Sequence, residues 1–190
     1  CDIEIERFIS GIFALGAYHL NDTELNLGSI LIDVGFEKVS LGIFKQFALV
    51  HSFTLPVGIN HLTKDISRVC SLTLEESEKI VKEINFPTKI KEINNKEILS
   101  QEFFISSKFR KITLLLIYDI IQSRLEEIFE ILFKEINYLG LKKNSRQNIF
   151  ITGGGSNLSY IREFSSILLE TEVKKLLVRE EDAISIVENF

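Results

Sequence analysis

Ser29-Ile30-Leu31-Ile32-Asp33-Val34 leads into Gly35-Phe36-Glu37-Lys38 and returns as Val39-Ser40-Leu41-Gly42-Ile43-Phe44. Two short runs of mainly β-branched and apolar residues around a turn-capable tetrapeptide predict a β-hairpin. Asp33 ends the first run one residue before Val34-Gly35. A carboxylate there is costly unless it is hydrogen-bonded or serves a metal-bound water, although an Asp entering a turn also has an ordinary structural role.

Downstream, Phe47 to Leu55 is rich in Phe, Val and Thr and is closed by Pro56, which predicts a third sequential antiparallel strand. Ile59, Leu62, Ile66 and Val69 then fall at spacings of 3, 4 and 3, the period of an amphipathic helix. A second helix is expected from an N-cap at Ser71 or Thr73, with Glu75 and Glu76 in its first turn, to a stop before Pro87. The mixed stretch Phe86 to Lys108 carries strand signals at Lys89 to Ile93 and Gln101 to Ile105, and predicts a small satellite sheet. Ile121, Leu125, Ile128, Leu132, Ile136 and Leu139 recur at helical spacing, with Gly140 placed as a left-handed C-cap. Upstream, Ile5 to His19 predicts a helix with one broad apolar face, broken by Asn21-Asp22-Thr23.

The last clear unit is an apolar strand, Asn148 to Thr152, followed by Gly153-Gly154-Gly155 and a helix from Ser156 or Asn157 to about Leu169. Strand, glycine turn and helix form a construction whose backbone amides can face an anion. Taken alone, the triplet also fits a tight turn or a close backbone approach.

The formal charge of -5, with no Lys/Arg cluster, argues against a nucleic-acid footprint. Cys1 and Cys70 have neither metal-ligand nor disulfide spacing, which suits a reducing compartment, and His19, His51 and His61 are scattered. The longest apolar run, Ile112 to Ile121, is too short for a bilayer and carries Asp119, so neither a transmembrane helix nor a signal peptide is expected. A start at Cys1 and the absence of Met predict an interior or processed piece of a longer protein.

Taken in order, the hairpin with Asp33-Val34-Gly35, the strand end Leu55-Pro56-Val57-Gly58, the segment Asn60 to Ile66, the Glu-rich helix Leu74 to Ile80 and the run Ile149 to Leu158 carry a resemblance. The order resembles the second half of the actin-like ATPases, and most closely the FtsA family of bacterial cell-division proteins. Phe8 to Leu15 and Arg124 to Ile131 also look like that family, so the resemblance covers about residues 5–170.

The resemblance implies an α/β, actin-like (ribonuclease H-like) ATPase fold, second half, with a small inserted α+β subdomain. Residues 1–27 would be a helix and linker from the preceding lobe. Residues 28–66 and 145–190 would form the lobe core, and 67–144 the insertion. It also implies ATP and Mg²⁺ as cofactors, with Mg²⁺ reached indirectly through Asp33. In the family the hairpin turn reads Asp-x-Gly-Gly-Gly-Thr-Thr-Asp and wraps the nucleotide phosphates. Here Asp33 and Gly35 match, whereas Phe36, Glu37, Lys38, Val39 and Ser40 do not.

Glu37 sets a negative charge where a polyphosphate would lie, and at ~4 Å near a surface a like-charge pair costs on the order of 4 kcal/mol. Lys38 offsets part of that with a charge-assisted contact. By the same resemblance Gly58 lies near the ribose, although the usual second glycine is Ile59. Asn60, Thr63 and Asp65 fit the family pattern. Glu78 lies near the nucleoside, and Lys82 is the nearest substitute for a basic residue expected at Val81. Gly153, Gly154, Gly155 and Ser156 pass beneath the adenosine.

The implied function is a division adaptor with weak or absent ATP hydrolysis and no catalytic residue. It would bind the tubulin-like protein FtsZ through about Ser67 to Asn144 and self-associate into actin-like filaments. It would sit in the cytoplasm at the inner face of the cell membrane at the division site. The family's membrane-binding C-terminal amphipathic helix is not recognisable in this sequence, where Thr171 to Phe190 alternates apolar and acidic residues. Alternative readings of the same fold are a pilus-assembly scaffold of the PilM type and a sugar-kinase-like phosphotransferase, the latter disfavoured by the Phe36 to Val39 replacement.

Overall fold

The computed structural model of the protein describes residues 8–85, 96–138 and 148–176. The expected hairpin forms from β1 (Ser29–Val34) and β2 (Val39–Lys45), paired antiparallel from Ser29↔Phe44 to Val34↔Val39. β3 (Ala48–Leu55) extends it, while β4 (Asn148–Thr152) runs parallel to β1 on the other side, from Ser29↔Asn148 to Asp33↔Thr152. β5 (Val173–Lys175) closes a sheet of order β3-β2-β1-β4-β5.

Alternation along the strands builds two cores. Ile30, Ile32, Val34, Leu41, Ile43, Ile149 and Ile151 face a large cluster completed by the helices α3 (Ile59–Cys70), α4 (Leu74–Glu83), α5 (Leu114–Tyr138) and α6 (Ile161–Leu168). Leu31, Phe44 and Phe150 face a smaller one with Ile12, Leu20 and Leu176. On β3 the register slips between Ile43 and Phe44, whose partners are His51 and Leu49, so Val50 is left over. This bulge reverses the alternation, because one extra residue sends the following side chains to the opposite face. Leu49 accordingly joins the smaller cluster and Phe53 packs against the larger.

Several segments differ from their sequence patterns. The first helix, α1, spans only Gly11–His19, with Ile12 and Gly16 buried and Phe8, Ile9 and Phe13 exposed. Gly16 is needed because a Cβ there would lie 2.0 Å from the Phe44 ring. Asn21 does not merely break α1. It caps a short helix, α2 (Asp22–Leu27), in a reciprocal pair of 2.9 Å bonds, Glu24 N to Asn21 Oδ1 and Asn21 N to Glu24 Oε2. Gln101–Phe103 is a 3-10 turn, not a strand, and an isolated Ile98↔Thr113 bridge stands beside it; Lys89 to Ile93 lies outside the described residues. The long helix starts seven residues earlier than Ile121, and Gly140 lies outside the described residues. The helix expected from Ser156 or Asn157 begins at Ile161, because Ser156 and Leu158 donate back to the carbonyls of Gly153 and Gly155 in a 3-10 turn.

Glu76 ties the start of α4 to Ser106 and Ser107. It is fully buried at the first turn of α4, where it accepts from Thr73 N (2.8 Å), closing a capping box with the Thr73 hydroxyl. It also accepts from Ser106 N, Ser107 N and Ser107 Oγ at 2.8, 2.7 and 2.6 Å. Burial alone raises its pKa, but the bonds from Ser107, Thr73 and Ser106 outweigh it and hold the carboxyl far below the ordinary value near 4.5. A depressed folded pKa contributes stability that is complete above the unfolded value and is lost as the pH falls below it. Glu76→Ala strands three backbone amides and is expected to cost roughly 3–5 kcal/mol in urea denaturation at pH 7. The gap between wild type and variant should narrow steadily below pH 4.5.

Candidate functional site

The registers of four strands align one polar row across the sheet: Thr54 opposite Ser40, Ser40 opposite Asp33, and Asp33 opposite Thr152. Directly paired residues project from the same face. Thr54 Oγ1 lies 3.3 Å from Ser40 Oγ. Sequence patterns isolated Asp33 alone; its hydroxyl neighbours emerge only from the pairing. Asp33 is half-buried, and desolvation pushes its carboxyl pKa up against the attraction of Lys38.

The hairpin turn lies on the start of α3. Gly35 N donates to Lys38 O (2.9 Å) within the turn, and Ile59 N and Asn60 N donate to Gly35 O (3.1 Å) and Phe36 O (2.8 Å). Asn60 Nδ2 donates to Glu37 Oε1 at 2.6 Å. Gly58 permits this contact, since a Cβ there would stand 2.5 Å from Phe36 O and 2.6 Å from Lys38 N. Phe36, Glu37 and Lys38 are exposed at the tip.

The glycine triplet meets the same junction. A Cβ on Gly153 would lie 2.3 Å from Asp33 Oδ1 and 2.6 Å from Val34 O, and one on Gly155 would lie 2.5 Å from Val34 Cγ1 and 2.8 Å from Ile59 Cγ1. Beside Gly154 nothing stands within 4 Å. Ser156 is buried and spends its hydroxyl on Gly153 O (2.7 Å). Asp33, Gly35, Lys38, Gly58, Gly153 and Gly155 thus gather at one end of the sheet.

Glu78 and Lys82 form an exposed pair one helical turn apart, 2.6 Å from Lys82 Nζ to Glu78 Oε1. Val81 is buried, and its carbonyl accepts from Tyr160 Oη (3.2 Å), which ties α4 to the segment after the triplet. Asp65, in the segment that resembles the family, receives a two-pronged bond from Arg124 on α5, Nε to Oδ2 at 2.7 Å and Nη2 to Oδ1 at 3.0 Å. Arg124 also reaches Glu127.

With this geometry in view, the family profile described as "Cell division protein FtsA" matches residues 30–182. The chain belongs to the FtsA family. It is 27% identical over 172 residues to the "Cell division protein FtsA" of Bacillus subtilis, covering 90% of this chain and 39% of that relative. It therefore spans about two fifths of the length of the curated relatives it matches. An MreB protein of Spiroplasma citri bound to AMPPNP superposes with a TM-score of 0.64 at 20% identity, over 94% of this chain and 59% of that one. The "PilM-PilN type IV pilus biogenesis complex" gives 0.61 at 19% identity, over 86% of this chain and 40% of that one. Such likenesses establish the actin-like α/β fold expected from the sequence.

The residues fit the implied nucleotide unequally. The FtsA-type glycine turn is retained and Gly154 is open, which suits the nucleoside half. The phosphate half fits less well, because the turn carries an exposed Glu37 whose carboxylate is held on Asn60 Nδ2. Among the described residues, no group of three or more His, Cys, Asp or Glu could hold a metal ion directly.

Gly153 has φ 84° and ψ 172°, a region open essentially to Gly alone. Gly153→Ala is expected to destabilise the protein by ~2–4 kcal/mol, strain and clash together, whereas Gly154→Ala should stay within about 0.5 kcal/mol. Thermal unfolding of the two variants side by side checks the contrast.

Proposed function

We propose that this chain is the second half of an actin-like cell-division adaptor. It engages an FtsZ-type tubulin homologue through the unit at residues 67–144, self-associates in the actin manner, and works in the cytoplasm at the inner membrane of the division site. The observation that carries this reading is the FtsA family match, which runs unbroken from the hairpin through the glycine triplet. In the same proposal Asp33, Gly35, Lys38, Gly58, Glu78, Lys82, Gly153, Gly154, Gly155 and Ser156 line a nucleotide cleft. Attachment to the membrane is peripheral in this proposal; no helix among the described residues is long and apolar enough to cross a bilayer.

Efficient hydrolysis needs preorganised donors where charge develops on the transferring phosphoryl group. The turn of this chain carries Lys38 and Val39 where the family has its two threonine hydroxyls, and sets the Glu37 carboxylate beside the amides that remain, which weakens that function. A phosphotransferase reading fails on the same ground.

The purified parent protein should co-sediment with polymers of the FtsZ-type partner, and its ATP turnover should fall at least a hundredfold below the roughly 1 s⁻¹ at the low end of ordinary enzymes. Ordinary Mg-ATP affinity together with substantial turnover, measured by calorimetry and phosphate release, would sink the proposal.

A further inference from the structure

Phe47 stands 60% exposed at the tip of the β2–β3 hairpin. Gln46 and Phe47 are the two turn residues, with φ of 51° and 59°. Such left-handed positions favour Asn and Gly, and a bulky side chain there is strained. Two backbone bonds hold the tip in place nonetheless: Gln46 N donates to Asn26 O (3.2 Å) and Phe47 N to Leu25 O (3.1 Å). They set Phe47 beside the end of α2, where Leu27 is exposed as well. The start of α2 adds charge to this end of the sheet. Asn21, Asp22, Thr23, Glu24 and Asn148 line one surface cavity, and this lining holds two carboxylates and no cation among the described residues. Lys174 stands beside it, on Asn148 Oδ1 (3.1 Å).

The segment Ile105 to Lys111 has the reverse character. Lys108, Arg110 and Lys111 are exposed next to exposed Ile105 and Phe109, and no carboxylate occurs between Glu102 and Asp119. Phe109 packs edge-on against Phe104, with ring centroids 5.1 Å apart, and Arg110 Nη2 donates to Ser71 O (2.6 Å). Helix α5 measures how far apart the two regions lie. It starts at Leu114, just after the basic segment, and its Glu135 lies 3.4 Å from His51. His51 pairs with Ile43, and Ile43 with Ile30 near the start of β1. Leu114 to Glu135 spans about 30 Å of helix.

We propose that these regions are the complementary faces of a head-to-tail contact between copies of the parent protein. Ile105 and Phe109, with Lys108, Arg110 and Lys111 around them, seat on Phe47 and Leu27, and Asp22 and Glu24 face the cations. The inference rests on self-association in the proposed function and gives it a polarity and two named surfaces. Opposite charge on two separate faces of one chain selects a second copy as the occupant, because every copy carries both halves. A symmetric contact of either face with itself would instead bring like charges together. Unlike faces make a heterologous contact, which extends as an open filament when its rotation does not close. An exposed aromatic anchor with apolar neighbours and a charged rim is the make-up of an interface centre.

Sedimentation velocity on the parent protein tests the contact. Wild type is expected to form concentration-dependent oligomers that weaken between about 50 and 500 mM salt. Phe47→Gly removes the anchor but suits the left-handed φ, so thermal unfolding should hold or rise while self-affinity falls at least about tenfold. Lys108→Glu combined with Lys111→Glu should weaken assembly from the other face. Neither variant alone extends, yet an equimolar mixture of the two should form pairs and nothing longer, since each keeps the face that the other lacks. A wild type that stays monomeric, association indifferent to salt, intact self-affinity in Phe47→Gly, or a mixture without pairs would each overturn the inference. Loss of thermal stability in Phe47→Gly would overturn it too, by making the residue a structural one. Co-sedimentation of wild type with the FtsZ-type partner judges the adaptor reading by itself, so the two can fail separately.

Discussion

The carboxylate of Asp33 and the carbonyl of Val34 stand 2.3 and 2.6 Å from where a Cβ on Gly153 would be. This contact lets β4 stay parallel to β1 through the last pair, Asp33↔Thr152, and then turn away at once. A longer exit would carry the 3-10 turn at Gly154–Asn157 clear of the hairpin. Gly155 would then lose its seat against Val34 and Ile59, and the join between the sheet end and α3 would open. The hairpin, the triplet and the start of α3 form one object because the backbones approach as closely as Gly allows.

α3 is fixed at two points. Its start is bonded to the turn through Ile59, Asn60 and the Asn60 side chain. One turn further, Asp65 is gripped by both prongs of Arg124, and the guanidinium pKa is raised chiefly by that bond. A fork of this kind holds geometry better than a flexible surface ion pair, because two parallel bonds fix the plane as well as the distance. Two separate stretches with family character, Asn60 to Ile66 and Arg124 to Ile131, are thereby joined in space, and the candidate cleft is tied to the 25-residue α5.

The hairpin, α3, α4 and the 148–152 strand were legible because each carries a period of its own and an explicit stop: Pro56 after β3, the Thr73 cap before α4, the triplet after β4. α2 was not, since Asn21-Asp22-Thr23 serves equally as a breaker and as a cap. β5 has three residues, too few for any alternation to register. Thr152 joins the polar row of Thr54, Ser40 and Asp33 through the register between β1 and β4, more than a hundred residues apart in sequence, which no local pattern encodes. Glu76 looked like an ordinary first-turn carboxylate. Only folding brings Ser106 and Ser107 to it, 30 and 31 residues away.

The triplet illustrates how a retained motif should be weighed. Gly153 is demanded by its φ and by Asp33, and Gly155 by Val34 and Ile59, so both are explained by packing with no ligand at all. Gly154 alone has open space beside its Cβ position and no positive φ to require it. Its identity is therefore the part of the motif that the fold leaves unaccounted for. At the turn, Phe36 and Glu37 are exposed, and the Glu37 carboxylate is engaged by Asn60 Nδ2.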